Sequence, residues 1–469
     1  MIFNPKKLTL KEGFFRIPKD AIAQAHECLR CDIIKEFWRG FTFTTSELNI
    51  SQTAGYCFAL GDFEPLPLLG NDFSINITER GISLYAENEK NLKLGLMTLF
   101  DRIKISETES EEPFSYVDCA EILDKADLQV RMVHFCVFHE TELWELEHFL
   151  RFAAALRFTH VIVEFWGMLR YDCMRELSWK DGYSKDEIRP IFDRARELGI
   201  EIVPMLNHWG HAAAARIRLG KHVVLDQNPS LWTYFSEDGW CWDIRKEKVR
   251  RLLSDMRTEL IELCGEGDYF HVGCDEAYNF SFTEENMDAI TDYINELSAE
   301  LSAKGRRAII WGDMFISENE NYNPKNRYEC NNPSPEYSEY MISRLDRRVV
   351  VADWQYHTVE APIETSLVFR DAGIDTLICP WDRSKAHVDA SVNTAKNEGL
   401  LGYIHTTWHT LSKGMSMVTA AAVAGFEDTH SYKASLYAYT PALWRKVMPA
   451  DGNYERAGWS KYEVSYIFN

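Results

Sequence analysis

The residues of this sequence best suited to chemistry are two adjacent carboxylates, Asp275 and Glu276, within the stretch 270–278, FHVGCDEAY. An apolar run leads through His271 and Gly273 into the pair, as expected where a strand gives way to a loop. Adjacent strand residues point to opposite faces, so both carboxylates can serve one pocket only if the backbone leaves strand geometry there, which a glycine allows. The pattern predicts an acid–base site at a strand end, where parallel β/α proteins place their catalytic groups.

Composition excludes several classes of partner. The chain has 469 residues, 46% hydrophobic and 26% charged, which is enough for two or three domains with a large core. A formal net charge of −21 argues against nucleic acid and anionic membranes, and no apolar run reaches the ~18 residues of a membrane span. The eleven cysteines follow no repeating interval and the N-terminus shows no apolar leader, so we expect a reduced, cytoplasmic protein.

The first part of the chain, residues 1–118, is predicted to form a small α+β domain. Residues 73–86 alternate apolar and polar side chains around a turn, which indicates a hairpin, and residues 88–104 follow as an amphipathic helix. A polar, acidic stretch ending in a proline, residues 107–113, marks the boundary. We therefore place the second domain at residues 119–469.

The second domain repeats one unit, a short apolar strand followed by a helix. Helices are predicted to end at glycines, as at Gly199 and Gly265, and Ser184 with Glu187 forms a capping box. The predicted strands are 128–137, 158–165, 200–206, 269–272, 308–311, 349–353, 376–379 and 401–406. Eight such units predict an α/β fold of the (β/α)8 TIM-barrel type, with a C-terminal helix and an aromatic tail packed on it. The main alternative, an open doubly wound sheet, lacks its glycine-rich loop.

The carboxyl ends of barrel strands converge, so the residues found there are candidates for one site. Each of the last four strands ends in a tryptophan, and such an aromatic wall suits the apolar face of a sugar. The candidates are Arg131, Glu164, Trp166, His208, His211, Asp275, Glu276, Trp311, Asp313, Trp354, Tyr356, Trp381, Asp382 and Trp408.

The motif His-x-Gly-x-Asp-Glu at 271–276 resembles the hallmark of glycoside hydrolase family 20, the β-N-acetylhexosaminidases. Residues 204–211, PMLNHWGH, resemble the family's Pro-Glu-Ile-Asp-x-Pro-Gly-His stretch, and the similarity is greatest to its short, intracellular hexosaminidase D-like members. Two features depart from the pattern: the usual His-x-His-Leu-x-Asp of the second strand is absent, and Asn207 stands where many relatives have an aspartate.

The resemblance implies an exo-acting, retaining enzyme in which the substrate's own acetamide attacks the anomeric carbon. Glu276 would then be the general acid and base, and Asp275 would stay ionised to orient the acetamide. The resemblance also implies a substrate-binding set of Arg131, Glu164, His211, His271, Trp311, Asp313, Trp354, Tyr356 and Trp408. It implies no cofactor and no metal, a glycan ending in N-acetylhexosamine as the partner, and leaves open a homodimer and the choice between GlcNAc and GalNAc.

Other interpretations remain open at this stage. A sugar-binding module without activity would keep the aromatic wall. A glycosidase acting on sugars without an acetamido group would need a second carboxylate, for which Asp313 or Asp382 is available. An Asp-Glu pair can also be a solvated loop beside a core histidine. A metal site at His271, Asp275 and Glu276 is disfavoured, because no second histidine lies at ligand spacing and no Cys-x-x-Cys occurs.

Overall fold

A computed structural model of the protein describes residues 3–106, 112–212, 228–237, 239–408, 414–426 and 433–448. These residues form a mixed sheet with two helices, followed by a closed barrel of eight parallel strands. The fold predicted from the sequence is thereby confirmed. Within the described ranges, no helix has both the length and the apolar character needed to cross a membrane.

In the N-terminal sheet, seven strands are hydrogen-bonded side by side, and a short eighth strand pairs with one of them. The predicted hairpin and the predicted helix after it are both present, and Asn88 caps that helix by accepting a hydrogen bond from the Asn91 N–H. The last strand continues past residue 118, the expected domain boundary, because its second half pairs with the first and fifth strands. The strands are β1 Lys7–Arg16, β2 Asp20–Ala25, β3 Glu47–Gln52, β4 Cys57–Gly61, β5 Phe73–Thr78, β6 Gly81–Ala86, β7 Lys104–Ile105 and β8 Ser115–Asp124, and the helices are Asp32–Phe41 and Glu89–Asp101.

The barrel alternates strands with helices, and each strand is parallel to both of its neighbours. Its strands are β9 Val130–Cys136, β10 His160–Glu164, β11 Glu201–Met205, β12 Tyr269–His271, β13 Arg307–Trp311, β14 Val350–Trp354, β15 Asp375–Cys379 and β16 Gly402–His405. Its helices are Leu143–Ala155, Lys185–Glu197, Glu247–Cys264, Glu284–Ala303, Pro335–Arg344, Glu364–Asp371, Lys385–Asn397, Met415–Ala424 and Lys433–Lys446. Both halves of the predicted capping box at Ser184 and Glu187 are formed. The predicted aromatic end after Phe426 includes the helix Lys433–Lys446, whose Trp444 ring packs on the barrel with its centroid 5.2 Å from that of Phe152. Residues 427–432 and 449–469 of this end lie outside the described residues.

Alternation along the strands decides which side chains enter the barrel. The interior is filled by a separate apolar cluster that includes Met132, Ile162, Tyr269, Ile309 and Ala352. Side chains two positions further along a strand share its face. The inward residues at the carboxyl ends of the first six strands therefore include His134, Cys136, Glu164, His271, Trp311 and Trp354.

Arg131 does not belong to this set, which corrects its predicted role in substrate binding. Its neighbours Val130 and Met132 point into the barrel, so Arg131 points outward near the amino end of β9. The guanidinium donates to the Arg157 carbonyl from Nε (3.0 Å) and Nη2 (2.8 Å), and to the Leu128 carbonyl from Nη1 (2.6 Å). It also lies over the Phe426 ring at 4.9 Å. Burial lowers the pKa of Arg131 to about 10, and its role is structural.

We therefore expect Arg131→Lys to reduce stability and to leave substrate affinity unchanged. A lysine cannot reach both carbonyls, and a lost hydrogen bond to a charged donor costs about 1.5–3 kcal/mol. Urea denaturation should show this loss, whereas KM per folded enzyme should match the wild type. Unchanged stability with a raised KM would return Arg131 to the sugar site.

Candidate active site

The turn after β12 brings the two carboxylates together. Gly273, Cys274 and Glu276 all have left-handed backbone angles, with φ of +68°, +79° and +49°. The chain thus leaves strand geometry where the sequence predicted it. Two of these residues are not glycine, so the conformation is strained and must be held by its surroundings.

Hydrogen bonds to the backbone N–H and to the backbone carbonyl of Glu276 hold this turn. The Glu276 N–H donates to Asp313 Oδ2 at 2.9 Å, and its carbonyl accepts from Trp240 Nε1 at 2.7 Å. His271 supports the turn from below, since its Nδ1 accepts the Gly273 N–H at 3.1 Å. Burial, together with the neighbouring His134, holds the pKa of His271 well below its usual value. We expected His271 to contact substrate, but its side chain is fully buried and positions the turn instead.

His211 joins the two carboxylates. Its Nε2 lies 2.8 Å from Glu276 Oε2 and 3.3 Å from Asp275 Oδ2. Gly210 makes this approach possible, because a β-carbon there would lie 1.9 Å from the Asp275 carbonyl oxygen. The side chain of Glu276 is 25% exposed and that of Asp275 is 9% exposed, so Glu276 faces the opening and Asp275 the interior.

The charges of this trio are strongly perturbed. Burial raises the pKa of Asp275 to about 8, although His211 opposes the change. Burial also disfavours the imidazolium of His211, but the Asp275 and Glu276 carboxylates outweigh it and raise the pKa of His211. Burial therefore disfavours the ionised form of Asp275 that we expected. His211 lies close enough to both carboxylates for the three groups to titrate as a coupled set.

Asp313 is a positioning residue and not the sugar-binding group that we expected. Besides the Glu276 N–H, its Oδ2 accepts from Asn331 Nδ2 at 2.7 Å, and its Oδ1 accepts from Trp354 Nε1 at 3.1 Å. Burial raises the pKa of Asp313 to about 6 against these hydrogen bonds. The carboxylate therefore ties the catalytic turn to the aromatic wall.

The predicted aromatic residues form a continuous wall. Trp311 is fully buried and its ring centroid lies 5.6 Å from that of the half-buried Trp408. Trp408 Nε1 donates to the Tyr356 hydroxyl at 2.7 Å, and the Tyr356 ring lies 5.2 Å from Trp354 and 5.1 Å from Trp381. The structure thus places these strand-end aromatics together, as the sequence predicted.

Glu164 lies at the end of β10 with two partners that the sequence analysis missed. Its Oε1 accepts from Asn207 Nδ2 at 2.8 Å, and its Oε2 lies 3.3 Å from His134 Nε2 and 3.6 Å from Cys136 Sγ. The alternation of inward and outward side chains along β9 could have identified them, because His134 and Cys136 share the inward face with Met132. By contrast His208, a strand-end candidate, is buried and bonded to Arg257 Nη1 at 2.9 Å.

Replacing Gly273 by alanine tests the tight turn. A β-carbon there would lie 1.9 Å from Asn207 Oδ1, whereas one at Gly305 would meet nothing within 4 Å, and both glycines have left-handed φ. Gly305→Ala should cost about 1 kcal/mol of unfolding free energy from backbone strain alone. Gly273→Ala should cost a further ~1–3 kcal/mol from overpacking. Equal losses in urea denaturation would show that Asn207 does not restrict the turn.

Asp275→Asn should change how stability depends on pH. Because the folded-state pKa of Asp275 is raised, folding binds its proton, so the contribution of Asp275 to wild-type stability is greatest at low pH and is lost as pH rises toward about 8. The asparagine variant lacks this loss. We expect its Tm to exceed that of wild type by a few degrees above about pH 8 and the difference to shrink below about pH 4. The exposed Asp292→Asn should show no such trend, and a difference independent of pH would contradict the burial of an ionisable group at position 275.

Comparison with known proteins places the chain in a family. The family model described as the catalytic domain of glycosyl hydrolase family 20 matches residues 163–459. The chain is 20% identical to lacto-N-biosidase of Bifidobacterium bifidum over 330 residues, covering 66% of this chain and 28% of that protein. It is 28% identical to hexosaminidase D of Bos taurus over 132 residues, covering 26% of this chain and 34% of that protein. The chain thus spans about a third or less of these relatives' length.

Solved structures show the same fold. An exo β-N-acetylglucosaminidase from Vibrio harveyi in complex with N-acetylglucosamine superposes with a TM-score of 0.69 at 14% identity, covering 96% of this chain and 77% of that chain. The N-acetyl-β-hexosaminidase of Streptomyces plicatus superposes with a TM-score of 0.66 at 14% identity, covering 95% of this chain and 94% of that chain. The family match covers more than half of the chain and contains the carboxylate pair, so this protein belongs to glycosyl hydrolase family 20.

Proposed function

We propose that the protein is an exo-acting, retaining β-N-acetylhexosaminidase that releases terminal GlcNAc or GalNAc from glycoconjugates. The observation that carries the proposal is the pair of carboxylates bridged by His211 beside a wall of tryptophans. Similarity to a lacto-N-biosidase and a hexosaminidase supports a substrate that contains N-acetylhexosamine. The proposed location is the cytoplasm.

Glu276 is the proposed general acid. Its carboxyl lies nearer the opening than that of Asp275, where a leaving group departs, and His211 Nε2 is within 2.8 Å to exchange a proton with it. In the first step Glu276 donates its proton to the glycosidic oxygen while the bond from that oxygen to the anomeric carbon breaks. In the second step the same carboxylate takes a proton from the water that attacks the anomeric carbon.

Asp275 is proposed to hold the acetamide. Its Oδ1 is buried and has no hydrogen-bond partner among the described residues, so it can accept the acetamide N–H. The acetamide oxygen then attacks the anomeric carbon and closes an oxazolinium ring, which carries positive charge beside Asp275. That charge favours the ionised carboxylate, and His211 is placed to take the proton that Asp275 gives up. The interaction is therefore stronger in the transition state than before it.

The aromatic wall is proposed to enclose the acetamide methyl group. The Tyr356 hydroxyl accepts from Trp408 Nε1, and its own proton is proposed to be donated to the acetamide oxygen. A substrate held in this way is constrained to the conformation in which that oxygen faces the anomeric carbon. With Arg131 outside the site, Glu164 is the group proposed to bind hydroxyls at the non-reducing end.

The hydrogen bonds of Asp313 favour this mechanism over one with two protein carboxylates. A nucleophilic carboxylate needs an oxygen directed at the anomeric carbon, but both oxygens of Asp313 already accept hydrogen bonds that hold Glu276, Asn331 and Trp354. Attack by Asp313 would release the turn that carries the acid. The acetamide of the substrate is thus the nucleophile that the site accommodates best.

Matched aryl β-glycosides with and without the N-acetyl group test the proposal. We expect turnover of the N-acetylglucosaminide or N-acetylgalactosaminide and none of the plain glucoside, because the latter lacks the nucleophile. Glu276→Gln should lower turnover about 10²- to 10⁴-fold on poor leaving groups and much less on good ones, which need little protonation.

Each alternative predicts a different result. A binding module would retain the sugar in a binding assay but cleave neither glycoside. A two-carboxylate glycosidase would cleave the glucoside and form a stable adduct with a fluorinated substrate, visible by intact-protein mass spectrometry. Equal loss on good and poor leaving groups in Glu276→Gln would remove its role as the acid.

A further inference from the structure

We propose that His134, Cys136 and Glu164 form a binding site for a thiophilic divalent cation such as Zn²⁺, next to the sugar pocket. His134 and Cys136 occupy alternate positions on the inward face of β9, and Glu164 ends β10 directly opposite Cys136 in the strand register. All three side chains are buried. Parallel pairing of two neighbouring strands thus brings a nitrogen, a sulfur and an oxygen ligand to one point.

The distances between the three ligand atoms fit a metal site. His134 Nε2 lies 3.3 Å from Glu164 Oε2, and Cys136 Sγ lies 3.6 Å from each of them. With ordinary Zn–N, Zn–S and Zn–O bonds, tetrahedral angles place such ligand pairs about 3.3–3.6 Å apart. The atoms therefore form one face of a tetrahedron and leave a fourth position for water or another ligand.

Neighbouring groups fix the orientation of these ligands. Asn207 Nδ2 binds Glu164 Oε1 at 2.8 Å, which leaves Oε2 to the cluster, and Trp166 Nε1 donates to Cys136 Sγ at 3.3 Å, which favours the thiolate. The Thr407 hydroxyl donates to the His134 carbonyl and holds the strand. Such surrounding hydrogen bonds are typical of metal sites. On binding, Cys136 releases its thiol proton to solvent and the sulfur coordinates the cation.

Two other groups of ligand atoms among the described residues fit a cation less well. His211 Nε2 lies only 2.8 Å from Glu276 Oε2, a hydrogen-bond distance that is too short for two ligands of one tetrahedral ion, and this group has no thiol. The group of His160, Glu201 and Asp268 includes an exposed aspartate, and Glu201 Oε1 already accepts the Asp268 N–H. The cluster in β9 and β10 is thus favoured.

Occupation of this site should inhibit the proposed activity, a consequence that rests on the proposed function. The His134 ring lies 4.7 Å from the Trp408 ring of the aromatic wall, and the cation would take Glu164 Oε2 from the sugar hydroxyls. Zinc should therefore compete with substrate. Cys136 takes no part in the proposed hydrolysis, so its replacement should leave the basal activity intact.

The full chain, stripped of metal and titrated with Co²⁺, provides a direct test. We expect one equivalent to bind with a thiolate-to-cobalt charge-transfer absorption in the near ultraviolet, and Zn²⁺ to displace it. Asn207→Ala removes a supporting residue, so it should keep the absorption and weaken Zn²⁺ binding by the ~10- to 100-fold typical of such a loss. Cys136→Ser removes a ligand, so it should lose the absorption and weaken Zn²⁺ binding by more than that. The matched control is Cys379→Ser, a buried cysteine on the inward face of β15.

Each outcome decides the matter. Binding of neither metal at micromolar concentration, or the same absorption in wild type and Cys136→Ser, would overturn the site and leave a hydrogen-bonded triad. Binding lost in His211→Gln but kept in Cys136→Ser would place the metal on the catalytic carboxylates. Inhibition by Zn²⁺ that persists in Cys136→Ser would overturn the inhibitory role. If the wild type cleaves no N-acetylhexosaminide, the proposed function fails, yet the cobalt titration still decides whether the site exists.

Discussion

The buried carboxylate of Asp313 connects three parts of the site. It follows β13, accepts the Glu276 N–H of the turn after β12, and accepts the indole N–H of Trp354 at the end of β14. The left-handed conformation of Glu276 is unfavourable by itself, so the turn persists only because this acceptor and the Trp240 indole hold its peptide. A charge buried in this way is costly unless it is fully hydrogen-bonded. Asp313 therefore stabilises the site while being a poor nucleophile.

A second constraint is the electrostatic balance around His211. Two carboxylates on adjacent residues repel each other, and burial adds to the cost of ionising Asp275. The His211 imidazole between them lowers the cost of ionising Asp275 and can accept the proton that Asp275 releases. A substrate that supplies an N–H and a developing positive charge would give Asp275 Oδ1 a hydrogen-bond partner and would favour the ionised carboxylate. The electrostatics of the site are thus consistent with its proposed chemistry.

The deep end of the site is more polar than a barrel interior requires. His134, Cys136 and Glu164 lie where apolar side chains would fill the barrel, and the His134 ring packs against the Trp408 ring. The mechanism proposed for hydrolysis uses only Glu164 of these three. A thiol held against an imidazole and a carboxylate is a ligand set for a thiophilic cation, so this end of the barrel combines the proposed sugar pocket with a metal-binding geometry.

The sequence by itself determined the order of strands and helices, the barrel and the position of the carboxylate pair. These features depend on local signals, namely apolar runs, glycines at helix ends and a capping box, which act within a few residues. Only the tertiary structure decided which strand residues share the site. Arg131 lies between two inward-facing residues of β9, so its side chain points outward, whereas those of His134 and Cys136 point inward. Likewise, the roles of Asp313 and His271 depend on contacts between strands distant in sequence or on burial, neither of which a motif can show.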